Sequence, residues 1–446
     1  MQSASLDNDL FETHDDDNDP LIDSVSRTAP QPDNTSSSPS TTSQSVRSLT
    51  LSPEDERRIR TSTSSSNNNN NNNNSPSVRR VNDNSAAALL VQQLTSSTAF
   101  YDIPMNDTFS ELVERYIPPD QRPQREMYPA EEDQVPNMVM SNMWRSVARF
   151  ARQQLVVNKT MDIERILQLW YLRLLALCKL GLYQLASAEL DKLGDLNRPE
   201  LTYEFHALDG AGSLVPFELF ILWARLPAWM KHPLISLERL TMLVVQCKKK
   251  GWKQRQVQVY LVLATQFIEM NDYTSAVSTM DMVRKHFAEN NVDVLSALGR
   301  LYLQLGDVER AEKMYSQIEQ RQEKTPTIEE MIQVNRAFLC IAKGEWSQAA
   351  EILQKVLQAN KDNLLAMNNL AVCQVYLGQL GSALDLLSIM TTDNPTSAGT
   401  CATALMNMCT LFELRYDSAT EKKVELMKQV SRWVGDSFQA DCLKLQ

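Results

Sequence analysis

The side chains able to do chemistry are few and far apart in this chain. The four histidines, His14, His206, His232 and His286, are well separated, and none has a cysteine or carboxylate partner at metal-ligand spacing. The seven cysteines stand at positions 178, 247, 340, 373, 401, 409 and 442 with no CxxC pair. Most fall on apolar helical faces, where free thiols pack as small hydrophobes, and that usage suits a reducing compartment. No Gly-rich phosphate loop, HExxH or GxSxG occurs. The expectation is a non-enzymatic protein without cofactor, metal or catalytic residue. What remains is recognition chemistry. Lys248-Lys249-Lys250, with Trp252, Lys253 and Arg255, is the strong basic cluster, suited to an acidic segment or a lipid headgroup, or else a solvated link between helices. Trp223 and Trp229 flank Pro227 in an irregular stretch and are candidate partner anchors. Asn335 and Asn369 are candidates for reading a peptide backbone. The candidate partner-binding set is therefore Trp223, Trp229, Lys249, Trp252, Asn335 and Asn369.

These residues need elements to position them, and a spacing supplies the elements. Gly306, Gly344 and Gly378 each stand five residues ahead of an alanine, Ala311, Ala349 and Ala383, and Asn271 stands five ahead of Ala276. A helical unit recurring near every 34 residues is the signature of a tetratricopeptide array. In one copy Leu298-Gly299 and Tyr302 lie on a first helix, Gly306 makes the turn, and Ala311, Tyr315 and Ile318 lie on a second. Small residues such as Gly299 and Ala311 let two helices approach, while large ones around them contribute roughly 1.5–3 kcal/mol each when buried. Glycine in the turn takes the left-handed conformation that ends the first helix.

Further copies place Ala264 with Ala276, Ala337 with Gly344 and Ala349, and Ala371 with Gly378 and Ala383. An earlier copy carries Gly181 and Ala186. A degenerate pair runs from Pro216 to Cys247, turning near Lys231-His232-Pro233 with Ser236 as its small residue. Thr400–Leu414 and Glu421–Val434 read as an atypical last pair, and Trp144–Val157 as a cap at the other end. The fold class is all-α, a tetratricopeptide superhelix of about six units plus caps. At the fifth and ninth positions of the first helices stand Tyr171 and Leu175, Ser296 and Arg300, Val334 and Phe338, Asn368 and Val372. These are not the lysines and asparagines of a carboxylate clamp. An adaptor or co-chaperone that holds short peptides in its concave groove is the alternative function.

Residues 1–105 are rich in Ser, Thr, Asn and Asp, contain no glycine and include an unbroken run from Asn67 to Asn74. Such composition predicts a disordered tail. Residues 106–140 read as a linker with one short helix at Thr108–Tyr116, and 141–446 as the solenoid with its terminal capping helices. The formal net charge of −11 argues against general binding to nucleic acid or anionic membranes. No run of eighteen apolar residues exists, the N-terminus is acidic without a signal-peptide pattern, and Asp15-Asp16-Asp17 reads as solubilising.

No helical packing rule demands Gly212–Phe217 or the C-terminal tail, and several stretches are less generic than the repeat. They are Gln168-Leu169-Trp170-Tyr171-Leu172-Arg173-Leu174, Arg198-Pro199-Glu200-Leu201, Gly212-Ser213-Leu214-Val215-Pro216-Phe217, Gly435-Asp436-Ser437-Phe438 and Asp441-Cys442-Leu443-Lys444-Leu445. In this order, over about Leu167 to Leu445, they make the chain resemble the trafficking protein particle complex subunit 12 family, the tetratricopeptide subunit of the TRAPP III tethering complex. The resemblance implies a non-catalytic scaffold in endoplasmic reticulum to Golgi vesicle transport and autophagy. It implies a cytoplasmic protein, peripheral at the intermediate compartment and Golgi, with other TRAPP III subunits as partners. It implies no nucleic acid, small-molecule substrate or direct membrane insertion. Two departures stand out: the N-terminal region is shorter than the family's, and Pro227 interrupts a helix.

Overall fold

Apolar residues spaced three and four apart, punctuated by a glycine or asparagine, produce helix pairs, and the computed structural model consists of them. It describes residues 87–445 apart from 105–106, 124–133, 159–160, 207, 209, 289–290, 323 and 398. In chain order the helices are α1 (Thr108–Tyr116), α2 (Val135–Met140), α3 (Trp144–Val157), α4 (Ile163–Lys179), α5 (Tyr183–Leu193), α6 (Phe217–Trp229), α7 (Pro233–Lys250), α8 (Lys253–Glu269) and α9 (Tyr273–Phe287). They continue as α10 (Val292–Gln304), α11 (Val308–Glu319), α12 (Pro326–Ala342), α13 (Trp346–Ala359), α14 (Leu364–Tyr376), α15 (Leu380–Asp393), α16 (Ala402–Arg415) and α17 (Ala419–Val430). Consecutive helices pack on one another, α4–α5 through α14–α15 forming the six repeat units. The tetratricopeptide superhelix is the fold.

The turns explain the spacing. Gly181, Asn271, Gly306, Gly344 and Gly378 all sit at positive φ, from 58° to 78°. The next N–H reaches back to a carbonyl five residues earlier, as in Asp307 N to Tyr302 O and Glu345 N to Cys340 O, each at 2.8 Å. That bond closes the first helix with its last carbonyls satisfied. The degenerate pair uses the same device at Lys231, φ 67°, with His232 N bonding Pro227 O at 2.8 Å. Five residues after each turn comes a buried small side chain: Ala186, Ser236, Ala276, Ala311, Ala349 and Ala383 are each 0% exposed. Side-chain caps start several helices, Asp307 accepting from Arg310 N and Asn363 from Ala366 N.

The expected tail boundary at residue 105 is corrected. Residues 87–94 are helical, Ser97–Ala99 form a 3₁₀ turn, and Leu90, Leu94, Ala99 and Phe100 are buried in the core around α3 to α8. The part of the tail reading that covers 1–86 lies outside the described residues. The linker reading for 106–140 is also revised. The side chains of Phe109 and Ile117 enter the core formed by α14 to α17 and the C-terminal turn Ala440–Leu443. The described residues between 87 and 121 are thus a strap, 87–104 lying on the first repeats and 107–121 on the last.

The two ends of the solenoid also touch directly. Asp436 N donates to Asn142 O at 2.8 Å, and the Asp436 carboxylate accepts from Arg145 N at 2.8 Å and from the Arg145 guanidinium at 3.1 Å. The same guanidinium reaches Asp107 of the strap at 2.7 Å. Phe109 meets Phe438 edge-on, ring centroids 5.0 Å apart. The superhelix is therefore a closed circuit.

Candidate interaction surfaces

The residues assigned to repeat packing, Gly299 apart, divide into two groups. Gly181, Gly306, Gly344 and Gly378 are turn residues, and a Cβ there meets nothing within 4 Å, so only the backbone conformation calls for glycine. Ala186, Ala264, Ala276, Ala311, Ala337, Ala349, Ala371 and Ala383 are buried between helices. Gly299 belongs to neither group. A Cβ at this position would lie 2.1 Å from the Tyr315 ring, so glycine here makes room for an aromatic on the partner helix.

Trp170 and Arg173, from the stretch that resembles the family, hold the strap. The Trp170 indole donates to Leu94 O at 3.0 Å, and its ring lies 4.8 Å from that of Phe100. Arg173, 0% exposed, forms a forked pair with the Glu189 carboxylate at 3.0 and 2.7 Å. Two more of its donors go to Ala148 O at 3.0 Å and Tyr101 O at 2.7 Å, and Tyr101 N donates to Glu189 at 2.9 Å. Every charge in this buried pair is matched by geometry that a solvated pair would lack. The stretch Gly212–Phe217 is also accounted for by packing. Tyr203 N and Leu214 N pair with Gly212 O and Leu201 O across a single antiparallel bridge, and Leu214, Val215 and Phe217 are buried.

Pro227 does not break α6, which runs two residues beyond it. Proline removes the donor that would satisfy the carbonyl of Trp223, four residues back. Arg239 of α7 supplies the replacement, donating to Trp223 O at 2.9 Å while lying 4.4 Å from the centre of the Trp223 ring. Trp223 is half-buried and lines a cleft of about 290 Å³ with Leu190, Leu226, Pro227, Met230 and Ile235. Trp229 is occupied by Tyr183, stacked at 5.5 Å, and by Arg225 at 4.8 Å. The two tryptophans proposed as anchors thus differ: Trp223 faces a cleft and Trp229 is packed.

Trp252 is likewise packed, its ring flanked by Lys250 at 4.5 Å and Arg255 at 4.6 Å and meeting Phe217 edge-on at 6.5 Å. Lys248, Lys249 and Lys253 are exposed. Asn335 and Asn369 are 2% and 1% exposed, out of reach of a peptide lying on the surface. Asn335 accepts from the Ser296 hydroxyl at 3.1 Å, and Asn369 donates to Leu365 O at 3.0 Å. Their place is inside the helix stack. Tyr171, Leu175, Ser296, Val334, Phe338 and Val372 are buried too. Among the described residues no three His, Cys, Asp or Glu side chains are grouped to hold a metal. His206 contacts Glu200 O at 2.9 Å, while His232 is exposed in the turn before α7 and His286 is exposed on α9. Burial pushes the thiols of Cys373, Cys409 and Cys442 up to about 12.

The tetratricopeptide repeat family matches residues 294–325, which hold most of α10 and all of α11, and 341–399, which hold α13 to α15. Those stretches are similar to tetratricopeptide repeats. The chain is 33% identical over 311 residues to trafficking protein particle complex subunit 12 of Mus musculus, covering 63% of this chain and 39% of that one. To the Homo sapiens subunit it is 32% identical over 328 residues, covering 66% and 44%. The chain resembles that subunit and spans about two-fifths of the length of the curated relatives it matches. A tetratricopeptide repeat protein from Parabacteroides merdae ATCC 43184 is 13% identical with a TM-score of 0.38, covering 59% of this chain and 98% of its own. No helix among the described residues is long and apolar enough to cross a membrane.

Proposed function

We infer that the chain is a non-catalytic scaffold subunit of a TRAPP III-type tethering complex, acting through protein contacts in endoplasmic reticulum to Golgi transport and in autophagy. It works at the cytoplasmic face of the intermediate compartment and Golgi, held there by its fellow subunits. The supporting observation is the similarity to subunit 12 of mouse and human, about one residue in three over more than three hundred. The structure adds a reason for the distinctive stretches. Trp170 and Arg173 hold the strap, and Asp436 fastens the C-terminal tail to the first helices, features that a repeat array does not need. The groove-adaptor alternative has less support, since Asn335 and Asn369 are enclosed by the helix stack.

Purification of the tagged chain from its own cells at gentle salt tests the reading. Other TRAPP subunits are expected to accompany it, and their absence overturns it. The isolated chain is expected to show no nucleotide exchange on a Rab GTPase.

A further inference from the structure

The second helix of each pair turns one face to solvent. On α5, α9, α11 and α13 the exposed side chains are polar, charged or small, and on α15 the one large apolar exception is Ile389. Helix α7 is different. Leu234, Ile235, Met242 and Val245 are 72%, 44%, 59% and 46% exposed. At 100° per residue they fall on one side of the helix, a stripe roughly 16 Å long in which exposed Glu238 also lies, with exposed Thr241 at its edge. Ile235 joins the stripe to the cleft beside Trp223. At its other end stand Lys248, Lys249 and Lys250, all exposed, with no carboxylate partner for them among the described residues. Cations at a helix C-terminus are favourable in themselves. They do not account for an apolar stripe laid behind them. The surface calls for a segment with apolar side chains followed by a block of carboxylates.

Such a segment lies in this chain. Between Leu6 and Asp23 stand Leu6, Leu10 and Phe11, the run Asp15-Asp16-Asp17, then Leu21 and Ile22. No lysine or arginine precedes Arg27. The other acidic run before residue 87, Glu54-Asp55-Glu56, is followed at once by Arg57-Arg58 and does not match. Residues 24–86 have a contour length of roughly 200 Å, so reach does not limit where the segment sits. Tethering also spares it the cost of free association, since its effective concentration is on the order of millimolar or somewhat below.

We propose that residues 6–22 dock on the outer face of α7, with Leu10 and Phe11 against Leu234, Met242 and Val245 and with Asp15-Asp16-Asp17 over Lys248-Lys249-Lys250. The contact is intramolecular, and it covers the largest apolar stripe on a second helix of the array. It weakens with salt, because its charges are at the surface.

The test uses the full chain carrying p-benzoylphenylalanine in place of Phe11, irradiated at low micromolar concentration, with the cross-linked peptides mapped by mass spectrometry. Cross-links to the peptide holding Met242 are expected, within one chain. Reversing the clamp with Lys248→Glu, Lys249→Glu and Lys250→Glu is expected to cut their yield at least about fivefold. Adding Asp15→Lys, Asp16→Lys and Asp17→Lys to that chain is expected to restore it. Met242→Asp alone, at an exposed site that folding does not use, is expected to lower the yield with helical content unchanged. Cross-links elsewhere, or a yield indifferent to charge reversal, overturn the proposal. Cross-links joining isotopically distinct chains overturn it in favour of a second copy, and a tail that stays uncross-linked while another protein covers Met242 overturns it in favour of that partner.

Discussion

Arg173 gathers four contacts from three parts of the chain, and its worth follows from what removal leaves behind. Arg173→Met deletes the cation and strands the Glu189 carboxylate, 0% exposed, without its partner. Breaking a buried pair in this way costs about 3–5 kcal/mol. The expected result is a lower midpoint in urea, with much of the loss recovered when Glu189→Leu is added, since an apolar pair leaves no orphan charge. A double-mutant cycle in urea checks both. The cysteines give a second prediction at this scale. A thiol pushed up to about 12 holds almost no thiolate at neutral pH, and Cys373, Cys409 and Cys442 are also closed to solvent. In the native chain these three are expected to resist maleimide, while Cys401, half-exposed, reacts first. Mass spectrometry of labelled peptides, native against denatured, reads the difference.

At the scale of the element, most of the array was legible because its turns use residues whose backbone preference is visible in a sequence. Gly306, Gly344 and Gly378 announce the left-handed position, and the alanine five residues on announces the close approach. The helices Thr108–Tyr116 and Trp144–Val157 fall where periodicity placed them. Lys231 occupies the same left-handed position without being glycine, so that pair reads as degenerate although its hydrogen bonds are those of its neighbours. A lysine there carries roughly 1–2 kcal/mol of conformational cost. Lys231→Gly is therefore expected to raise stability by up to about 1 kcal/mol, part of the gain being lost to the freer unfolded chain. Thermal denaturation checks it, with Gly306→Lys as the converse, expected to lower stability. What the sequence concealed was the strap. Its hold rests on Leu90, Leu94, Ala99 and Phe100, and the apolar run Ala86–Val91 beside them is too short, next to Ser- and Thr-rich sequence, to announce burial. Its recognition lies on the far side, in Trp170 and Arg173, and side-chain bonds spanning some seventy residues leave no periodic mark. The candidate site was half visible for the same reason. The lysines at 248–250 could be read from sequence, but exposure of Leu234, Met242 and Val245 depends on which neighbours α7 has, a property of the assembled stack.

The whole molecule depends on how its ends are joined. The joint is small: the turn at Asn142, the first turn of α3, Asp107 at the start of α1, and the tail at Gly435-Asp436. Burial by itself raises the Asp107 carboxyl, but hydrogen bonds from Arg145 and Ser110 outweigh it and hold the group below its ordinary value. An acid depressed in the closed form takes up protons more readily when the joint opens. Its contribution is therefore complete above the ordinary aspartate value of about 4 and is lost as pH falls through the depressed one. Acidification is expected to open the joint before the repeats lose helicity, and Asp107→Asn to remove that pH dependence along with part of the closure. Gly435 offers a test without pH. A Cβ on it would lie 2.2 Å from Asn142 Cβ and 2.8 Å from its carbonyl oxygen, so Gly435→Val cannot keep the tail in place. Spin labels at Gln153 and Arg432 are expected to report a single short distance in the parent chain and a longer, broader distribution in the variant. Helical content is expected to remain, because each repeat packs chiefly on its neighbours. A distribution unchanged by Gly435→Val would mean that the strap alone closes the circuit, and deletion of residues 87–103 would then be the change that opens it.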